Sequence, residues 1–150
     1  MGAGEGGRDG RSASNMGIIM READIQTEIR RALGRVPGLV LMRNNVGLDT
    51  GRRGRPVRYG LGKGSPDLVG VLTLAGAPPV ALAFAIEVKA SRGRPSRDQL
   101  LWHNQARERG MPVFVCRSWD EAVHSVKGWI MTLCDSGYKI GSDTREYFGL

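Results

Sequence analysis

The sequence predicts an α/β fold, a mixed central β-sheet flanked by helices in the order α-β-β-β-α-β-α. Three observations point to it. Segments with apolar residues every three or four positions alternate with short β-favouring runs. Two of those runs, "DLVGVLTL" and "VALAFAIEVK", are joined by the Gly/Pro turn "AGAPP", the signature of a hairpin. The chain has 150 residues, 41% of them hydrophobic, which is enough for one real core and most simply one domain.

Taken in order, "MGAGEGGRDGRSASN" is low-complexity Gly/Ser/Arg sequence, so residues 1–17 are expected to form a flexible arm. It lacks the apolar stretch of a signal peptide, and no run in the chain approaches the roughly 18 apolar residues of a membrane span. Arg21 to Leu33 is predicted helical, because Ile25, Ile29 and Leu33 recur every four residues and Gly34 is a natural stop. Gly38 to Asn44 is a short β-favouring run, and "VGLDTGRRGRPVRYGLGKG" has no apolar period and is expected to be a loop. After the hairpin, "SRDQLLWHNQARERG" reads as a helix with Ser96 as N-cap, Gln99 completing a capping box and Gly110 as stop. "PVFVCRS" is a strand, and "SWDEAVHSVKGWIMTL" a helix with a second box at Ser118 and Glu121. The expected domain is residues 18–134, and the tail at 135–150 shows no clear period.

Cys116 and Cys134 make neither a disulfide framework nor a zinc site. Cys116 in "PVFVC" reads as a small buried hydrophobe, and a cytoplasmic, intracellular protein is the natural expectation. Twenty-two Lys and Arg against fifteen Asp and Glu leave a net charge of +7, which favours a polyanionic partner, nucleic acid before an anionic membrane surface.

Chemistry concentrates in "GSPDLVGVLTLAGAPPVALAFAIEVKA", an apolar stretch with three charges, Asp67, Glu87 and Lys89. In a hairpin centred on Ala77, Asp67 and Glu87 are equidistant from the turn and face each other, with Cβ atoms roughly 4.5–5.5 Å apart. Lys89, two residues on, projects from the same face together with Ala81, Ala83 and Ala85; Leu82, Phe84, Ile86 and Val88 point to the other. Two neighbouring carboxylates repel and need compensation. A hard divalent cation such as Mg²⁺ supplies it, with the lysine placed to orient water or offset charge on a phosphate. A structural ion pair at the sheet edge fits the same geometry, and geometry alone leaves both open.

The segments "YGLGKGSPDLVGV", "AIEVKASRGRPSRDQLLWHNQARERG" and "VFVCRSWDEAV" carry a resemblance. The chain resembles the PD-(D/E)XK nuclease superfamily and, over roughly Arg21 to Val126, the virus-type replication-repair nuclease (VRR-Nuc) family in its small stand-alone phage and bacterial form. The resemblance implies a restriction-endonuclease-like core and an Mg²⁺-dependent endodeoxyribonuclease, with Mn²⁺ as substitute, leaving 5′-phosphate and 3′-hydroxyl ends. It implies Asp67 and Glu87 as metal ligands, the Val88 carbonyl as a further one, and Lys89 as the residue positioning the attacking water. It also implies a glutamate at the start of the first helix. Glu22 matches and keeps helical phase with Ile25 and Ile29; Glu28 is the rival, and Gln26 a lesser candidate for contact. Gln99 matches a family glutamine near the metal-bound water or phosphate, a role that does not exclude capping. The implied partners are branched DNA, the four-way (Holliday) junction first, and a second copy of the chain, since a symmetric junction needs two nicks.

Basic residues flank this site in sequence: Arg52, Arg53, Arg55, Arg58 and Lys63 in the loop, and Arg92, Arg94 and Arg97 before the next helix. They suit sequence-independent contact with DNA phosphates. Tyr59 is a candidate for stacking on a base and equally for anchoring the loop. His103-Asn104 does not make an HNH nuclease in a chain with two histidines, and "GLGKGS" is not a P-loop. Val123, Trp129, Ile130 and Leu133 offer an apolar helix face for a dimer or, more naturally, for the core. The alternatives are a flap or less selective nuclease of the same fold and a non-catalytic nucleic-acid-binding module.

Overall fold

The apolar four-residue repeat of the first helix is the stripe that the fold buries. In the computed structural model, which describes residues 19–51 and 54–150, α1 spans Glu22–Leu33 and buries Ile25, Ile29 and Leu33. The expected arm at residues 1–17, Arg52 and Arg53 lie outside the described residues. The chain continues through β1 (Leu39–Arg43), β2 (Gly47–Thr50), β3 (Pro56–Tyr59), β4 (Leu68–Leu74), β5 (Val80–Val88), α2 (Arg97–Glu108), β6 (Val113–Cys116), α3 (Trp119–Asp135) and α4 (Ser142–Phe148).

Four strands form a mixed sheet in the order β1-β4-β5-β6, antiparallel at the first two pairings and parallel between β5 and β6. The β4–β5 register runs from Leu68↔Ile86 to Leu74↔Val80, so the hairpin is centred on Ala77 as expected. One face of the sheet carries Leu68, Leu72, Phe84, Ile86 and Val88 into a core shared with α1 and α3. Burying such side chains is worth roughly 1.5–3 kcal/mol each. Phe84 stacks at 5.4 Å on Trp129 and 6.3 Å on Phe114. Its ring lies across Gly70, its partner on β4, where an added Cβ would sit 2.1 Å from the ring. Ile130 and Leu133 are buried in this core, with Val123 and Trp129 packed against it, so that face of α3 is used internally. The opposite face of the sheet receives α2 through His103, which is fully buried beside Glu87.

Two elements differ from expectation, and the tail, where no period could be read, has structure of its own. The Gly/Arg-rich stretch is a two-stranded antiparallel ribbon of β2 and β3 and not a plain loop. Nearly all of its side chains are exposed, so no apolar period announces it; backbone pairing and the Tyr59 ring lying over Gly47 hold it. The second capping box is modified: Ser118 Oγ accepts from the Glu121 N–H, but Glu121 Oε2 accepts from the N–H of Arg117, one residue before the N-cap. The tail is ordered into the structure. Ile140 bridges Leu74, Thr144 Oγ1 donates to the Pro37 carbonyl at 2.6 Å, and Phe148 closes the core beside α1.

The Gly70–Phe84 notch yields a stability test. Gly70→Ala should destabilise the fold by about 1–3 kcal/mol through overpacking, measured by urea unfolding. Combining it with Phe84→Leu should cost less than the sum of the single changes; strict additivity would show that the two residues are not coupled.

Candidate functional site

Asp67 lies immediately before β4, and its placement is over-determined. Its carbonyl accepts from the Asn44 N–H at 2.8 Å, while Asn44 Nδ2 donates to Ser65 Oγ and to the Pro66 carbonyl, both at 2.8 Å. The preceding Gly64 has φ +82° and approaches the backbone of Asp98 so closely that an added Cβ would lie 2.4 Å from its carbonyl oxygen. Only glycine meets both demands cheaply. Across the hairpin, Asp67 Oδ2 accepts the Val88 N–H at 2.8 Å, joining the acid to the strand that carries Glu87 and Lys89. The parallel pairing continues past β5, with the Lys89 N–H donating to the Cys116 carbonyl at 3.0 Å.

Glu87 has no exposed surface. Its Oε1 takes Lys89 Nζ at 2.9 Å and Gln99 Nε2 at 2.6 Å. Its Oε2 has no hydrogen-bond partner among the described residues and faces His103 Nε2 at 3.5 Å. Burial pushes the Glu87 carboxyl up to about 7; Lys89 opposes the shift and the charge and contact of Asp67 add to it. For Lys89, burial works to lower the pKa, but the hydrogen bond and charge of Glu87, with Glu22 and Asp67 behind, raise it on balance. His103 is held below its usual range by burial and by the charges of Arg107 and Lys89.

Gln99 carries two contacts with one amide. Its Oε1 accepts the Ser96 N–H at 2.8 Å, completing the capping box of α2, while Nε2 reaches Glu87. Glu22 comes to the same end of the sheet, its Oε1 accepting the Ala90 N–H at 3.1 Å. Glu28 does not; it pairs with Arg31 on the exposed side of α1. Gln26, Asp67 and Gln99 line a cleft of about 740 Å³ with Arg43, Asn44, Asn45, Tyr59 and Lys63. Of the basic residues expected at DNA, Lys63 is in the cleft but paired with Asp98 at 2.7 Å. Arg55, Arg58, Arg92, Arg94 and Arg97 are exposed and do not line it. Sequence reasoning missed Arg43, the Asn44 clamp and Arg117, whose Nη2 donates to the Gly93 carbonyl at 3.0 Å and ties down the segment after Lys89. An asparagine closing a predicted strand was the one available signal for Asn44.

Among the described residues no three or more His, Cys, Asp and Glu are gathered as a metal cage. Both cysteines are free, and burial pushes Cys116 up to about 12, leaving it inert. The donors present are carboxylate oxygens, one of them buried without a partner. Such a set fits a hard cation that keeps several waters, and not zinc.

An acid thus stands before one strand of a hairpin, with Glu-x-Lys on the other, over a mixed α/β sheet. The family model described as "VRR-NUC domain" matches residues 17–120, more than half the chain, and the chain belongs to that family. Membership implies a PD-(D/E)XK-type nuclease acting on DNA, in a family typically dependent on divalent metal. One solved structure, a "VRR_NUC domain", aligns with 23% identity and a TM-score of 0.49, covering 71% of this chain and 94% of that one. No curated protein matches the sequence. Among the described residues no helix is long and apolar enough to cross a membrane.

The buried carboxyl gives a pH signature. In metal-free protein Glu87 takes its proton near pH 7 when folded and near 4.5 when unfolded, so between these values the folded state binds more protons. Its contribution to stability is therefore present at low pH and lost as pH rises through that window. Denaturant midpoints in EDTA should fall between about pH 5 and about pH 8 in the wild type and fall less in Glu87→Gln; identical profiles would remove Glu87 as the source.

Proposed function

We propose that the protein is a metal-dependent, structure-selective DNA endonuclease, a homodimeric Holliday-junction resolvase using Mg²⁺ with Mn²⁺ as substitute. The observation that carries the nuclease reading is Glu87, buried yet left with one unpartnered oxygen, with Asp67 and Lys89 converging on it. Asp67 and Glu87 would hold the cation, the Val88 carbonyl would add a ligand, and Glu22 would act through water. When bound, the cation neutralises the two acids and polarises the scissile phosphate. Lys89 donates to the attacking water and to charge developing on the phosphate. Water adds in line to phosphorus as the P–O3′ bond breaks, leaving a 3′-hydroxyl and a 5′-phosphate. Gln99 keeps the Glu87 carboxylate oriented, and Glu22 holds the backbone at Ala90 so that Lys89 stays in register.

The exposed Arg55 and Arg58, with Arg92, Arg94 and Arg97 before α2, supply phosphate contacts; Arg52 and Arg53, candidates for the same role from the sequence, lie outside the described residues. Lys63 contributes less, since Asp98 already pairs with it. Tyr59 anchors the ribbon through Gly47 while half of it stays exposed beside the cleft for a base. The dimer follows from junction symmetry, two nicks requiring two sites. With the α3 face used in the core, exposed Val40 and Met42 on the other sheet face and Leu100 and Leu101 on α2 are among the exposed apolar residues that could serve it.

Labelled four-way junction should be nicked with Mg²⁺, left intact in EDTA, and nicked about 10²–10³-fold more slowly by Lys89→Ala, the scale of losing one transition-state donor. Absence of metal-dependent nicking, or equal nicking by the variant, would sink the nuclease assignment. Faster cutting of flaps or linear duplex would leave a nuclease but not a resolvase. Replacing Arg92, Arg94 and Arg97 by alanine should weaken junction binding whatever its sequence. It should also lower the slope of log K against log[salt] by roughly one for each phosphate left without its arginine; an unchanged slope would place the phosphates elsewhere.

A further inference from the structure

His103 stands four residues after Gln99, the spacing that puts two side chains on one helix face a turn apart. Both point at the same carboxylate. Gln99 Nε2 donates to Glu87 Oε1 at 2.6 Å, and His103 Nε2 faces Oε2 at 3.5 Å. That second separation exceeds the roughly 2.7–3.2 Å of an N–H···O bond, and a small rotation of either side chain closes it. His103 is fully buried, and among the described residues neither of its ring nitrogens, nor Glu87 Oε2, has a hydrogen-bond partner. Unpaired buried polar groups are costly, and a histidine in a site an apolar ring would fill calls for a use. The titratable groups around it are Glu87 and Lys89 on the β5 side and Arg107 on its own helix; the Trp102 ring lies edge-on at 6.5 Å.

We propose that His103 is a positioning residue that donates its Nε2–H to Glu87 Oε2, so that α2 grips both oxygens of the buried carboxylate, Gln99 on one and His103 on the other. Resting on the reading of Asp67 and Glu87 as metal ligands, this assigns His103 the task of fixing the carboxylate plane toward the cation. Partners of this kind orient metal ligands, and their removal typically costs about 10–100-fold in metal affinity.

Mn²⁺ affinity of the full chain, measured by titration calorimetry, is compared among wild type, His103→Phe and His103→Gln, with a melting curve for each. His103→Phe should melt no lower than wild type, because an apolar ring suits the site, yet bind Mn²⁺ about 10–100-fold more weakly. His103→Gln, whose amide nitrogen can take the place of Nε2, should recover most of the affinity. A phenylalanine variant that binds as tightly as wild type overturns the proposal. Should that variant fail to fold, ¹⁵N–¹H spectra of the wild-type imidazole in EDTA decide: a neutral ring protonated at Nε2, with signals displaced in Glu87→Gln, supports it. Protonation at Nδ1, or indifference to Glu87→Gln, overturns it. Failure of the metal-site reading looks different: wild type would bind no Mn²⁺, or Asp67→Asn would bind it equally, removing the positioning role while the imidazole spectra still report the hydrogen bond.

Discussion

The Glu87 carboxylate, sealed from solvent at the end of a core strand, sets the terms for everything around it. An ionised carboxylate taken out of water costs several kcal/mol unless charges and donors converge on it. Here they come from separate parts of the chain: Lys89 from just past its own strand and Gln99 from α2, with His103 facing the other oxygen at 3.5 Å. Asp67, brought by the neighbouring strand, works in the opposite sense and adds negative charge. The result is an acid only partly compensated by protein, with its proton affinity raised to near neutrality. Under the proposed function, a divalent cation would relieve that tension.

The scaffold places these groups by register. The hairpin is centred on its turn, its apolar face is committed to α1 and α3, and a slip of one residue would exchange the core face for the charged one. Support at the far end comes from the tail, where Ile140 bridges Leu74 and the Ala75 N–H donates to the Lys139 carbonyl. At the near end, the Asn44 clamp and Gly64 press the Ser-Pro-Asp segment against the start of α2. The site is thus gripped where the sheet, α1 and α2 meet.

The parts legible in the sequence were those with a local signal. The helical repeat of α1, the Ser96–Gln99 cap and the hairpin centre each depend on residues a few positions apart, or on a turn whose position fixes the pairing. That was enough to set Asp67 against Glu87 and Lys89. Asn44, Arg43 and Arg117 act through single contacts to distant backbone or by lining the cleft, and no periodicity marks them. The ribbon was hidden because exposed strands need no apolar alternation, and α4 because seven residues make too short a period to read. His103 was considered only as part of an HNH motif. Its spacing from Gln99 was visible, but its burial against Glu87 is a tertiary fact. Lys63, grouped in the sequence with the basic residues of the loop, is paired with an aspartate brought up by the fold.

Gln99 divides its amide between two contacts, the oxygen closing the cap of α2 and the nitrogen holding Glu87. That division narrows what position 99 can accept. Glutamate would cap the helix equally well but set a second negative oxygen against a buried acid. Asparagine carries the right groups on an arm one carbon too short, and lysine offers a donor but no acceptor for the Ser96 N–H. Few positions in a small domain demand an acceptor and a donor from one side chain at fixed reach. At this one, the signal that starts a helix and the grip on the central acid are inherited as a single letter.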